Sequence, residues 1–304
     1  MLLYIIRRIA SGIPVLFIVS LFIFSGIRLL PGDPIDALYP PDASVSEEVR
    51  DELRRSLGLD RGVHVQYIRW VGGILQGDLG VSIRNQQPVS GLISRRAGKT
   101  IQLVVLSTVF AVVLAIPLGT LAALKRGTAI DYAAIGFALF GLSIPGFALG
   151  TFFALVFGVW LNWVPTTGHL ALPVLTQGLA TAGILVRNVR STIADEQGRD
   201  YVRTARGKGI SSSTMYLRHV LPNALPVVIS VLAVQIGYQL GGTVVIEQVF
   251  AYPGIGLLLF DSVGARDYAV IQAIALLMAS TYVIVNMIAD IVRALLDPRI
   301  RLNS

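Results

Sequence analysis

Apolar residues fill six long stretches of the chain, roughly Ile9–Leu30, Thr100–Leu124, Tyr132–Leu161, Leu170–Val189, Pro222–Ile246 and Tyr268–Val292. No Asp, Glu, Lys or Arg occurs from Tyr132 to Val186, and none from His219 to Ile246. About 20 apolar residues at ~1.5 Å rise span a hydrocarbon core of ~30 Å. Backbone in lipid must satisfy its own hydrogen bonds, so the stretches predict six transmembrane helices. The fold class is therefore an all-α polytopic membrane protein. Arg7 and Arg8 precede the first stretch, as in a signal peptide, but the apolar run continues for 22 residues with no small-residue cleavage site. It is read as an uncleaved first span. Turn formers at Asn162–His169, with Trp160 and Trp163 at the interface, separate the third and fourth stretches.

The polar residues between the stretches set an expected orientation. With the N-terminus inside, the inner segments hold Arg7, Arg8, Lys125, Arg126, the Arg187–Arg218 group, Arg293, Arg299 and Arg301. The strip from Arg187 to His219 has seven basic and three acidic residues, whereas Pro31–Gly98 has eight basic and nine acidic. Short basic loops stay cytoplasmic, which predicts N-in/C-in topology with a large external loop after the first helix. The expected organisation is a first helix with a cytoplasmic N-terminus (1–30), an external, periplasmic loop (31–95), a membrane core (96–293) with a cytoplasmic segment at 195–221, and a cytoplasmic tail (294–304). In the loop, Ser44-Val45-Ser46-Glu47 reads as a helix cap before EEVRDELRRSLGL, and VQYIRWVGGIL repeats the amphipathic pattern. These short helices either cover the ends of the spans or support a partner.

Composition agrees with a membrane protein: of 304 residues, 54% are hydrophobic and only 14% charged. A soluble globule carries about a quarter charged residues. The net charge of +7 lies in the inner loops, which argues against nucleic acid as a partner and for membrane lipid. With no cysteine, a disulfide framework or a thiolate metal site is excluded.

Several activities lack their residues. Ala97-Gly98-Lys99-Thr100 resembles the end of a phosphate loop, but Ile93 stands where that loop needs a glycine and Gly91 is out of register. His64, His169 and His219 lie far apart, without a second ligand at metal spacing, and neither GxSxG nor HExxH occurs. No residue is assigned a catalytic or metal-binding role. An ion-coupled carrier or channel would keep ionisable groups within the bilayer. The second to fourth stretches have none at mid-depth, and Glu247 and Asp290, at helix ends, are expected to be solvated at the interface. Two similar halves, the mark of an inverted-repeat carrier, are absent.

The basic strip DYVRTARGKGISSSTMYLRHVLPNAL (Asp200–Leu225) interrupts this apolar sequence. Residues from about Asp195 to Arg206 are expected to form one helix, with Gly207 and Gly209 in a turn. Ser211–Ser213 then cap a second helix towards Leu221, with Pro222 in the first turn of the next span. A solvated positive-inside loop would also account for the arginines. The spacing resembles the cytoplasmic EAA signature of ABC importer permeases: Glu-Ala-Ala, three residues, Gly, nine residues, Ile, one residue, Leu-Pro. Here Ala205, Gly209, Leu221 and Pro222 match, while Arg203, Thr204 and His219 replace the Glu, an Ala and the Ile. These departures resemble the dipeptide/oligopeptide/nickel branch, whose strip is similar to D-Y-V-R-T-A-R-A-K-G. The resemblance continues in YIIRRI, LPGDP (Leu30–Pro34), QGDLGVS (Gln76–Ser82), Pro88-Val89, SIPGFALG (Ser143–Gly150), VVIEQVFAYPGIG (Val244–Gly256), RDYAVIQA (Arg266–Ala273) and LDPRIR (Leu296–Arg301).

The resemblance implies an ABC transmembrane type-1 fold in a multi-pass protein of the bacterial cytoplasmic (inner) membrane. The implied partners are a homologous second permease, two ABC ATPase subunits and an extracytoplasmic solute-binding protein. ATP and Mg would be bound by the partner subunits, with no cofactor on this chain. It implies that Tyr201, Arg203, Thr204, Ala205, Gly209, His219, Leu221 and Pro222 belong to a coupling helix seated on an ATPase. Di- or oligopeptides are the expected solutes, with nickel chelates, glutathione, opines or oligosaccharides as alternatives. A path without mid-membrane charge must use neutral polar groups, for which the candidates are Ser143, Gln177, Gln235, Tyr238 and Gln239. Gln235 and Gln239 share a helix face and either face the pathway or hydrogen-bond between helices. Gly146 with Gly150, and Gly237 with Gly241, have the spacing for close helix packing.

Overall fold

A computed structural model describes residues 2–29, 35, 46–56 and 58–296. Its elements are α1 (Leu2–Arg28), α2 (Glu47–Ser56), α3 (Val63–Leu75), α4 (Val89–Leu124), α5 (Ala129–Ser143), α6 (Gly146–Phe153), α7 (Ala171–Gln197), α8 (Asp200–Gly207), α9 (Ser212–Met215), α10 (Leu221–Val249), α11 (Ile255–Gly264) and α12 (Tyr268–Leu296). Wide π turns extend α6 through Ala154–Trp160 and join α9 to α10 through Tyr216–Val220. Among the described residues β structure is limited to a single bridge between Val81 and Pro88. The motifs Leu30–Pro34 and Ser44-Val45, the C-terminal residues 297–301 and most of the tail lie outside the described residues.

Among the described residues four helical segments are long and apolar enough to cross a membrane: Ile6–Arg28, Val89–Leu124, Tyr216–Val249 and Tyr268–Leu295. The third predicted span is not one rod. Ala129–Ser143 and Gly146–Trp160 meet at 102°, and counting this bent pair once gives five. Pro145 is the cause: it disfavours helical backbone in the residue before it, and Ile144 is extended at φ −95°, ψ 123°. The predicted fourth span lies in α7, which is 27 residues long but more polar than the others, and whose Leu172, Thr176, Gln177, Leu185 and Val186 are buried against protein.

The chain divides into two compact units. The first comprises Met1–Ile9, Ile101–Tyr252 and Tyr282–Ser304. In it α7 packs against both α5 and α10, and α6 lies on α10. Small residues set these distances. A Cβ on Gly183 would come within 2.9 Å of the Ala138 carbonyl oxygen, and one on Gly119 within 2.9 Å of the Val186 carbonyl oxygen. Alanines continue the contact through Ala111, Ala115, Ala134 and Ala182 around Leu185 and Val186.

The second unit comprises Ala10–Thr100 and Pro253–Thr281. Here α3 lies along α1: the Phe24 and Tyr67 rings meet edge-on at 5.2 Å, and the Ser20 and Tyr67 hydroxyls are 2.8 Å apart. An apolar cluster of Val89, Leu92, Ile93, Ile255, Leu258, Val270 and Ile274 joins α4, α11 and α12. Ser82 donates a short hydrogen bond to the Asp267 carboxylate, tying the QGDLGVS and RDYAVIQA motifs together. Gly98, Lys99 and Thr100 lie inside α4 rather than in a loop, and the Thr100 hydroxyl accepts the Ile255 backbone N–H at 2.8 Å.

Candidate functional site: an uncharged cavity and a basic surface strip

Two features of the first unit collect the residues singled out by sequence. One is a cavity of about 330 Å³ between α6, α7 and α10, lined by Thr176, Gln177, Thr181, Gln235, Tyr238 and Gln239 together with apolar neighbours. Gln177, Gln235 and Gln239 are buried, whereas Tyr238 is exposed. Gln177 and Gln239 bridge two helices: one end of the Gln177 amide donates to the Gln239 side chain at 3.1 Å, and the Gln239 amide donates to the Thr108 hydroxyl of α4 at 3.2 Å. Gln239 thus both lines this cavity and hydrogen-bonds between helices. The other end of the Gln177 amide is buried and receives no hydrogen bond from any described group. A buried unmatched amide is costly, and this oxygen is closed to solvent as well as unmatched. Ser143 is exposed at the end of α5 and does not line the cavity.

The two glycine pairs do not behave as uniform packing faces. A Cβ on Gly150 would stand 3.1 Å from the Phe250 ring, and one on Gly146 in ordinary contact with Ile246. Gly237 backs onto the Tyr282 ring, whereas Gly241 faces open space in this chain. The closest approaches to neighbouring backbone fall instead at Gly119, Gly178 and Gly183. Those glycines do not form a four-residue repeat, so spacing alone gave no signal for them.

Glu247 also departs from expectation. It is fully buried rather than solvated at a helix end. Beyond the helix end, burial, and after it the Glu247 carboxylate, push the Tyr252 hydroxyl above its ordinary pKa. Asp290 instead pairs with Arg8 and lies 3.5 Å from Arg293.

The second feature is the basic strip. The single helix expected from Asp195 to Arg206 is two: α7 ends at Gln197, Gly198 caps it, and Arg199 is extended at φ −72°, ψ 148° before α8 begins. Gly209 then reverses the chain at φ +75°, a backbone region that favours glycine. The Ser211 hydroxyl accepts the Thr214 backbone N–H at 3.4 Å, capping α9. Pro222 stands in the first turn of α10, and the Asn223 side chain donates to the His219 carbonyl at 2.7 Å.

The strip has two faces. Val202, Ala205, Met215 and Val220 pack with Val189, Ile193, Ala224 and Val228, with Tyr201 and Leu221 at the margin. This fixes the strip to α7 and α10 of its own chain. Tyr201 donates to the Glu196 carboxylate at 2.7 Å, and burial, then that carboxylate, raise its pKa. The outward face presents Arg203, Thr204, Arg206, Lys208, Arg218 and His219. Among them stands Leu217, 67% exposed, an apolar knob that the charge pattern hid.

The sequence model of the binding-protein-dependent transport system inner membrane component matches residues 115–302, and the N-terminal model of such membrane components matches residues 1–104. Glutathione transport system permease proteins GsiC of Salmonella paratyphi A, Shigella flexneri and Escherichia coli K12 are each 40% identical over 306 residues, covering 99% of both chains. Two solved structures of the MetNI methionine ABC transporter in inward facing conformations share the fold, with TM-scores of 0.60 and 0.56 at 18% and 16% identity. They cover 68% of this chain and 97% and 96% of theirs. These matches set aside the ion-coupled carrier and the channel. The chain belongs to the binding-protein-dependent transport system inner membrane component family: it is a type-1 ABC importer permease of the peptide/nickel group, a multi-pass protein of the bacterial inner membrane.

Proposed function

We propose that this chain forms half of the pathway of an importer for glutathione or another small peptide, beside a homologous second permease. The observation that carries the solute class is a cavity with no charged residue among the described residues of its lining, where Gln177, Gln235, Gln239, Thr176 and Thr181 stand among apolar neighbours. Peptides present backbone N–H and C=O groups, which neutral amides and hydroxyls match without burying an unpaired protein charge. The names of the 40% identical relatives favour glutathione within that class. A nickel chelate, an opine or an oligosaccharide has less support from these observations.

The energy in this reading comes from two ATPase subunits that bind ATP and Mg. The outward face of the Arg203–Leu221 strip is the contact surface for one of them: its inner face is packed into this chain, so a push on the strip reaches α7 and α10 directly. α7, at 27 residues about 40 Å long, serves as the sixth crossing, with its polar positions covered by protein. The charge distribution supports N-in/C-in orientation.

The test is uptake by the complex reconstituted with its ATPases and binding protein. Labelled glutathione should accumulate in an ATP-dependent manner and be competed by small peptides but not by nickel chelates or sugars. Gln177→Leu and Gln239→Leu should each lower uptake about 3- to 10-fold, the worth of one hydrogen bond. Uptake of a non-peptide solute, with both variants fully active, would overturn the assignment.

A further inference from the structure

The second unit contains a cavity of its own, of about 410 Å³. Among the described residues its charged lining is Arg28, Arg55, Arg69 and Asp78, and its rings include Trp70 and Tyr268. Three arginines thus face one acid, and that acid is already engaged by the Gly80 backbone N–H at 2.8 Å. Arg28 is held in place: its guanidinium lies 3.6 Å over the Phe24 ring and donates to the Phe24 carbonyl and the Gln66 side chain. Arg55 and Arg69 are exposed, and among the described residues neither has an ion-pair partner. The cavity therefore offers excess positive charge together with aromatic surface.

The depth of the cavity selects the ligand. Arg28 is the last residue of α1 and Tyr268 the first of α12, and both helices are long and apolar enough to cross a membrane. Residues that terminate spans lie at the headgroup level, where arginines reach up to phosphates and aromatic rings sit at the interface. A dissolved anion has no reason to prefer that level, whereas a lipid phosphate is fixed there. Guanidinium groups match phosphate oxygens in charge and geometry. We infer that this cavity binds the headgroup of an anionic phospholipid, its phosphate among Arg28, Arg55 and Arg69 and its glycerol against Trp70 and Tyr268.

The experiment uses the purified transporter with its partner subunits, equilibrated with equal phosphatidylglycerol and phosphatidylcholine. Retained lipid is read by native mass spectrometry. The parental complex should retain phosphatidylglycerol preferentially. The exposed pair Arg55→Gln with Arg69→Gln should reduce that preference about 10- to 30-fold, while Arg55→Lys with Arg69→Lys should keep most of it. Partner retention in the same spectra reports that each variant is folded. No preference in the parental complex, or an undiminished preference in the Gln pair, would overturn the site. Displacement of the lipid by millimolar inorganic phosphate or glutathione would assign the cavity to a dissolved anion and overturn the lipid reading.

Discussion

The guanidinium of Arg190 holds the carboxylate of Asp131 by two hydrogen bonds, one of them 2.8 Å long, across the contact of α7 with α5. The aspartate side chain is only 2% exposed and the arginine 20%. Asp131 also accepts the Gly127 backbone N–H at 2.9 Å. One carboxylate thus fastens the short Lys125–Thr128 connection and the start of α5 to the end of α7, a few residues before the basic strip.

Removing one partner strands the other, which costs about 3 kcal/mol or more when the pair is buried, whereas an apolar pair of similar size is often nearly neutral. Asp131→Leu or Arg190→Met alone should therefore lower the thermal midpoint in detergent markedly. The double replacement Asp131→Leu with Arg190→Met should recover most of the loss. Strictly additive losses across the cycle would show that the two groups do not act as a pair.

Close backbone approach makes a sharper prediction at the glycines. At Gly183 an added Cβ meets the backbone of Ala138 at 2.9 Å, and backbone cannot rotate aside. Gly183→Val should abolish accumulation of folded protein, and Gly183→Ala should cost about 1–3 kcal/mol through overpacking. Gly241→Ala, with open space around it, should accumulate in the membrane at the parental level. Equal abundance of all three variants in membrane fractions would contradict the packing.

Much of this molecule was legible because lipid leaves few choices. Uncharged runs located the apolar helices, and the short amphipathic patterns located α2 and α3. What escaped depended on partners distant in sequence. Pro145 lies within an uninterrupted apolar run, so composition hid the bend that its restriction of Ile144 produces. Glu247 is near a helix end, which suggested solvent, yet the fold buries it completely. Asp131 drew no reading at all from the sequence, because its partner is 59 residues away. In the strip, the Ala–Gly–Leu-Pro spacing was legible, but the break at Gly198 and the exposed Leu217 were not. Neither carries a spacing signal.

Orientation can be read with single cysteines, since the chain has none of its own. Thr167 and Lys208 are both exposed. Thr167→Cys should react with an impermeant maleimide added to intact cells, and Lys208→Cys only after the inner face is opened. Labelling of Lys208→Cys from outside would reverse the proposed topology and take the ATPase contact with it.

Gly209 allows the coupling role of the strip to be tested apart from its packing. Its φ of +75° costs a residue with a side chain about 1–2 kcal/mol, yet nothing lies within 4 Å of a Cβ placed there. Within this chain a Cβ there meets no clash, so a defect points to the backbone turn. Asn tolerates the left-handed region better than other side chains, so Gly209→Asn should keep most transport. Gly209→Val adds β-branching to the strain and should misdirect α9, and Leu217 beyond it, while the apolar helices insert normally. We expect parental abundance, with transport and solute-stimulated ATP hydrolysis both lost in the Val variant of the complete complex. Parental transport by Gly209→Val would mean that the turn tolerates another geometry, and that the strip couples nothing through it.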